Sequence, residues 1–186
     1  RLRVLVVGRS GTGRSSLINY VLGIKKQAVS DQTRGVSDIE EEITSPENPR
    51  LVLHESRGFE PGEETSLKNA VDFLDARSSD SVAVKDQVHV VLCIKIPHAG
   101  GGVLETGDKK LIEFAFEKKV PLIVVFTQFD KLISLVEQEL TDEEMDMDLE
   151  ECELLVMTRG AAKFGEICLP PLKTFEHIHY ARTMIT

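Results

Sequence analysis

Gly8-Arg9-Ser10-Gly11-Thr12-Gly13-Arg14-Ser15 places glycines, hydroxyls and two arginines in one short run. That combination suits polyphosphate. Glycines let successive backbone N–H groups turn toward the same anion, and a helix that follows adds its positive end. The run matches the phosphate-loop pattern G-x-x-x-x-G-K-[ST] except that Arg14 stands where lysine is expected. Arginine keeps the charge, but its planar fork does not copy a compact ammonium set between two phosphates. The candidate phosphate ligands are Gly8, Arg9, Ser10, Gly11, Thr12, Gly13, Arg14, Ser15 and Ser16, with the Ser15 hydroxyl directed to Mg2+. The plain alternative is a glycine-rich turn between a strand and a helix.

Three further segments follow in order. The Thr-Arg pair of Gln32-Thr33-Arg34-Gly35 resembles the first switch loop of Era-like GTPases, and the resemblance implies Thr33 as a second Mg2+ hydroxyl, although a loop threonine without a role reads equally well. Glu55-Ser56-Arg57-Gly58 sits where GTPases carry D-x-x-G, and the resemblance implies that Glu55 would hold Mg2+ through water and that the Gly58 amide would sense a terminal phosphate. Thr127-Gln128-Phe129-Asp130 resembles the [NT]-K-x-D base-recognition motif of GTPases, and the resemblance implies that Asp130 would accept from N1–H and the 2-amino group of guanine. Read alone, Asp130 serves equally well as the cap of a helix starting at Lys131.

The order of these segments resembles a P-loop GTPase of the translation-factor-related class, nearest to Era-like proteins. The runs His54–Gly62 and Val124–Leu132 also look like those of fungal proteins carrying a GTP-binding domain. The Thr-Gln-x-Asp form of the base motif is similar to that of some Rho-type GTPases. The resemblance implies GTP or GDP with Mg2+ as cofactors, and switch loops at residues 24–35 and 56–65. It also implies Arg14, Thr33 and Gly58 as catalytic, Ser15, Thr33 and Glu55 as metal-holding, and Thr127, Gln128 and Asp130 as base-binding. Phe59 stands where Ras-like enzymes carry a water-orienting glutamine. Hydrolysis would then need a water positioned without a glutamine, a task that a protein effector or a second copy at the switch loops could help with. The rival readings are a pseudo-GTPase interaction module and an ATP-using P-loop protein.

Position requires elements. The apolar runs Leu2–Val7, Val88–Ile96 and Val120–Phe126 read as buried strands, and Leu51–His54 as a shorter one. The spacing of Leu17, Ile18, Val21 and Leu22 predicts a helix directly after the glycine run. Further helices are expected around Leu67–Leu74, over Asp108–Lys119, and from Lys131 to about Phe164 with a break near Thr141. Val36–Ile43 reads as an edge strand, and a last strand is expected within Phe175–Ile185, carrying His177 and His179 on one face. Alternating strands and helices predict an α/β, three-layer P-loop fold with a mostly parallel, about six-stranded sheet. The whole of 1–186 is expected to be a single G domain whose pattern stops before the usual C-terminal helix. Gly160-Ala161-Ala162-Lys163 superficially matches a final base-supporting motif but falls within the long helix.

The 186 residues carry a formal charge of -9, which disfavours nucleic acid and anionic lipid as partners. No apolar run approaches the roughly 18 residues of a spanning helix. Three cysteines without a C-x-x-C pair argue against a disulfide framework and a structural zinc site. A cytoplasmic, reducing setting is expected.

Overall fold

The computed structural model describes residues 1–23, 38–60, 62, 64–78, 82–83, 86–97 and 102–184. Among the described residues, five strands form one parallel sheet in the order β2-β1-β3-β4-β5. They are β1 (Leu2–Gly8), β2 (Leu51–Glu55), β3 (Val88–Lys95), β4 (Leu122–Thr127) and β5 (His179–Arg182). Register is fixed along β1 by Val6 opposite both Glu55 and Val91, so the loops leaving β1 and β2 emerge side by side.

The helices are α1 (Arg14–Val21), α2 (Glu64–Ser78), α3 (Thr106–Glu117), α4 (Phe129–Gln138), α5 (Asp142–Met145) and α6 (Leu149–Cys168). Both faces of the central strands are apolar, as a parallel sheet requires. Val4, Val6, Leu53 and Cys93 pack on Ile18 of α1 and on Leu22, which caps its end. Leu5, Val7, Leu92, Ile94, Val124 and Phe126 pack on α2, α3, α4 and α6. The result is a three-layer α/β fold. An edge-to-face pair, Phe126 against Phe164 at 5.1 Å, seats α6 beside the end of β4.

Two expected features differ. Only Ile43 of the Val36–Ile43 run pairs in the described part, through an isolated antiparallel bridge to Leu53. The Asp38 carboxylate accepts from the Glu40 amide at 3.0 Å, and a side chain bonded to its own backbone competes with a ladder. The neighbouring acids are drawn outward by Arg3–Glu42 at 2.7 Å and Arg77–Glu40 at 2.5 Å. His177 is not on a strand: its φ of 61° places it in the turn before β5. Only His179 is in the sheet. The break in the long helix falls as expected, because Thr141 caps α5 by accepting from the Glu144 amide. Gly160–Lys163 lies inside α6. The three cysteines are free thiols.

Candidate functional site

The loop between β1 and α1 carries the conformations that its glycines permit. Gly11 and Gly13 have φ of 72° and 79°, in the left-handed region. A Cβ at Gly8 would stand 2.4 Å from the Cys93 carbonyl oxygen, so only glycine lets β1 leave the sheet here. The Thr12 hydroxyl and amide both donate to the Arg9 carbonyl, at 2.8 and 3.3 Å, and close the turn. Gly13 then occupies the cap position of α1.

The base segment fastens to this loop. The buried Thr127 hydroxyl donates to the Thr12 carbonyl at 2.7 Å. The Gln128 side-chain amide donates to the Gly11 carbonyl at 3.0 Å, and Lys131 supports Gln128 at 3.0 Å. Gln128, with φ of 63°, caps α4, so Asp130 falls in the first turn and is not the cap. The capping alternative for Asp130 is thereby removed. Its Oδ1 is buried and has no hydrogen-bond partner. A buried carboxylate oxygen left in that state is costly unless something donates to it.

The Glu55 segment meets the loop from the other side. Ser15 Oγ donates to Glu55 Oε1 at 2.7 Å, bringing together two of the three residues read as metal-holding. A hydroxyl and a carboxylate at the first turn of a helix are hard oxygen donors of the kind Mg2+ takes. The third, Thr33, lies outside the described residues, as do the rest of 24–37. Gly58 approaches so closely that an added Cβ would stand 2.4 Å from Ser10 Oγ and 2.8 Å from Ser10 Cα.

Arg14 turns inward. Its Nη1 donates to the Gly8 carbonyl at 2.8 Å and to the Ser56 carbonyl at 3.0 Å. Burial pushes the guanidinium below its ordinary value, while Glu55 opposes that shift. Arg9 likewise runs away from the loop, toward the start of α3, and meets the loop through its backbone. Phe59 is 3% exposed and belongs to the core, against Gly107 of α3. Beneath the loop, burial pushes the Cys93 thiol up to about 12, so it is inert as a nucleophile.

Two participants were missed from the sequence. Ser56, 1% exposed, gives no local signal. Asp108, with Glu105 three residues before it and an apolar run after it, shows the spacing of a reciprocal cap, and both halves of that cap are present.

A model of the family described as 50S ribosome-binding GTPase matches residues 3–128, spanning the phosphate loop, the Glu55 segment and the first two residues of the base segment. The chain belongs to the 50S ribosome-binding GTPase family. It is a P-loop GTPase domain and shares 26% identity over 144 residues with GTPase Der of Mesoplasma florum, covering 77% of this chain and 31% of that protein. The probable GTP-binding protein EngB of Coxiella burnetii is 28% identical over 129 residues, covering 69% and 60%. GTPase Era of Clostridium botulinum is 27% identical over 128 residues, covering 69% and 40%. The chain therefore spans under a third of the Der protein and well over half of EngB. Among solved structures, a probable GTP-binding protein engB matches with a TM-score of 0.52 at 17% identity, over 98% of this chain and 89% of that one. That likeness supports the fold. No helix among the described residues of this G domain is long and apolar enough to cross a membrane.

Proposed function

We propose that residues 1–186 form one cytoplasmic G domain that binds GTP and GDP with Mg2+ and acts as a nucleotide-dependent switch. The observation that carries the reading is Asp130: a buried, unpartnered carboxylate oxygen on a segment that two hydrogen bonds fasten to the phosphate loop. Guanine N1–H and its 2-amino group are the paired donors that would satisfy this carboxylate; adenine lacks them in that arrangement.

Within this reading the loop amides from Ser10 to Ser15 and the start of α1 bind the phosphates. Ser15 and Glu55 would hold Mg2+, joined by Thr33. Bound there, Mg2+ would neutralise charge developing on the phosphate oxygens. Gly58 would present its amide to a terminal phosphate, with 56–65 and 24–35 as the responsive loops. Effectors or a second copy would engage those loops.

A second reading has its own support. Arg14 Nη1 donates to the Gly8 and Ser56 carbonyls, and Phe59 is packed in the core. The same fold would then serve as a pseudo-GTPase interaction module, with weak or no nucleotide binding or hydrolysis.

Titration of fluorescent GDP, GTP and ATP, with and without Mg2+, tests the proposal. Guanine binding at about micromolar or tighter, lost in Asp130→Ala, is expected. Equal ATP binding overturns guanine specificity, and no binding of any nucleotide favours the interaction module. A turnover assay on wild type and Arg14→Lys separates switch from module.

A further inference from the structure

Arg9 is the second residue of the phosphate loop, yet its side chain engages the far side of the site. Nε lies 3.4 Å from Asp108 Oδ2, Nη1 lies 3.5 Å from Glu105 Oε1, and Nη2 donates to the Val103 carbonyl at 3.3 Å. The Asp108 side chain is 0% exposed and that of Arg9 only 20%. Asp108 Oδ2 accepts from the Glu105 amide at 2.9 Å, while Asp108 Oδ1 and Arg9 Nε are buried without a hydrogen-bond partner, so Arg9 and Asp108 meet as opposite charges and not through a hydrogen bond. Burial holds this carboxyl above the usual range, opposed by the Glu105 amide and by Arg9.

The backbone of Arg9 does two other jobs. Its carbonyl receives both bonds from Thr12 that close the loop, and it forms a parallel bridge with Phe59. The Phe59 ring in turn presses on α3, where a Cβ at Gly107 would come within 3.1 Å. The loop and the Glu55–Phe59 segment thus rest on the same short stretch, residues 103–108. An ion pair buried at such long separations recovers little of its desolvation cost. Its consequence is geometric: it fixes where the loop backbone sits.

We propose that Arg9 is a positioning residue, clamping the phosphate loop to the start of α3 through Asp108, and that this clamp sets the rate of nucleotide release. The proposal rests on the nucleotide-binding reading above. It puts control of that site in residues 103–108, none of which that reading places against the nucleotide.

Asp108→Asn separates capping from clamping. The amide oxygen still accepts from the Glu105 amide, so α3 keeps its cap, while the ionic partner of Arg9 is gone. Stopped-flow release of fluorescent GDP is measured for wild type, Asp108→Asn, Arg9→Met, the double variant and Arg9→Lys. Each of the first two single variants is expected to release nucleotide about tenfold faster, and the double no faster than either, because both remove one interaction. Arg9→Lys keeps the charge opposite Asp108 and falls between wild type and Arg9→Met, which preserves a reading if the methionine variant folds poorly. Release within about twofold of wild type in both single variants, or multiplicative effects in the double, overturns the clamp. If wild type binds no guanine nucleotide, the functional proposal fails while the clamp stays testable. Amide hydrogen exchange of Gly11–Gly13 in the free protein should then quicken in both variants with α6 unchanged, and unchanged loop exchange rejects it.

Discussion

The Thr127 hydroxyl donates to the Thr12 carbonyl at 2.7 Å, joining the end of β4 to the phosphate loop across 115 positions of sequence. Thr127 is 0% exposed and Thr12 is 2% exposed, so water cannot replace the bond. Thr127→Val keeps the shape and deletes the donor. Stability should fall by about 1–3 kcal/mol, the cost of a buried carbonyl left unpaired. Urea unfolding measures that loss, and GDP titration should show weaker binding in the same variant.

Gly58 predicts a steric result. Alanine there would set a Cβ 2.8 Å from Ser10 Cα, which is backbone and moves only with the loop. Gly58→Ala should cost about 1–3 kcal/mol and weaken GTP binding. Adding Ser10→Gly removes the Oγ clash and leaves the crowding against the loop backbone, so it should restore binding only in part. Full recovery in a titration of the double variant would show that the backbone crowding does not matter.

Arg14 links the first carbonyl of the loop to Ser56 on the neighbouring segment. Arg14→Met keeps the aliphatic stem and removes both bonds and the charge. Nucleotide affinity should fall by at least about tenfold, with the melting temperature lowered as well. Calorimetric titration beside a thermal melt separates the two. An unaltered Kd would mean that the guanidinium serves only the fold.

His54 makes stability depend on pH. It is 1% exposed, its Nδ1–H donates to the Ile39 carbonyl at 2.7 Å, and Arg3 Nη1 donates to Nε2 at 2.6 Å. Burial holds the imidazole below its ordinary value of 6.5, aided by Arg3 and opposed by the Ile39 bond. The unfolded chain therefore takes up a proton near that value before the folded chain does. Stability is present above pH 6.5 and declines as pH falls through 6.5 toward the folded value. Urea midpoints at about pH 7.5 and 5.5 should differ more for wild type than for His54→Phe, which has no proton to bind.

Phe164 on α6 is 3% exposed and meets Phe126 edge-on at 5.1 Å and Phe129 at 6.1 Å. Phe164→Ala should cost about 3–5 kcal/mol. Phe129 sits next to Asp130, so the cavity should also loosen the base segment. Guanine selectivity over ATP is expected to shrink in this variant, read by competition titration.

The glycine run, its flanking strand and helix, the Glu55 segment and the Thr127–Asp130 segment were all legible in sequence. They rest on local rules: where glycine is needed, how apolar residues recur, and which side chain ends a strand. The same rules gave the break at Thr141. They did not give the directions of Arg9 and Arg14, because a long side chain points wherever the fold supplies a carboxylate or carbonyl. Arg9 finds Asp108 and Glu105, and Arg14 finds Ser56, only once β1, β2 and α3 are brought together. Burial of Phe59 and the placing of Asp130 inside the first turn of α4 likewise depend on packing. The run at Val36–Ile43 shows the limit from the other side: its apolar and acidic residues suggest a strand, yet among its described residues, 38–43, an acid bonds to its own backbone and only Ile43 pairs. Local pattern determined which groups the chain carries to a phosphate site; three-dimensional packing decided which of them face it, since desolvation and hydrogen bonding act between segments far apart in sequence.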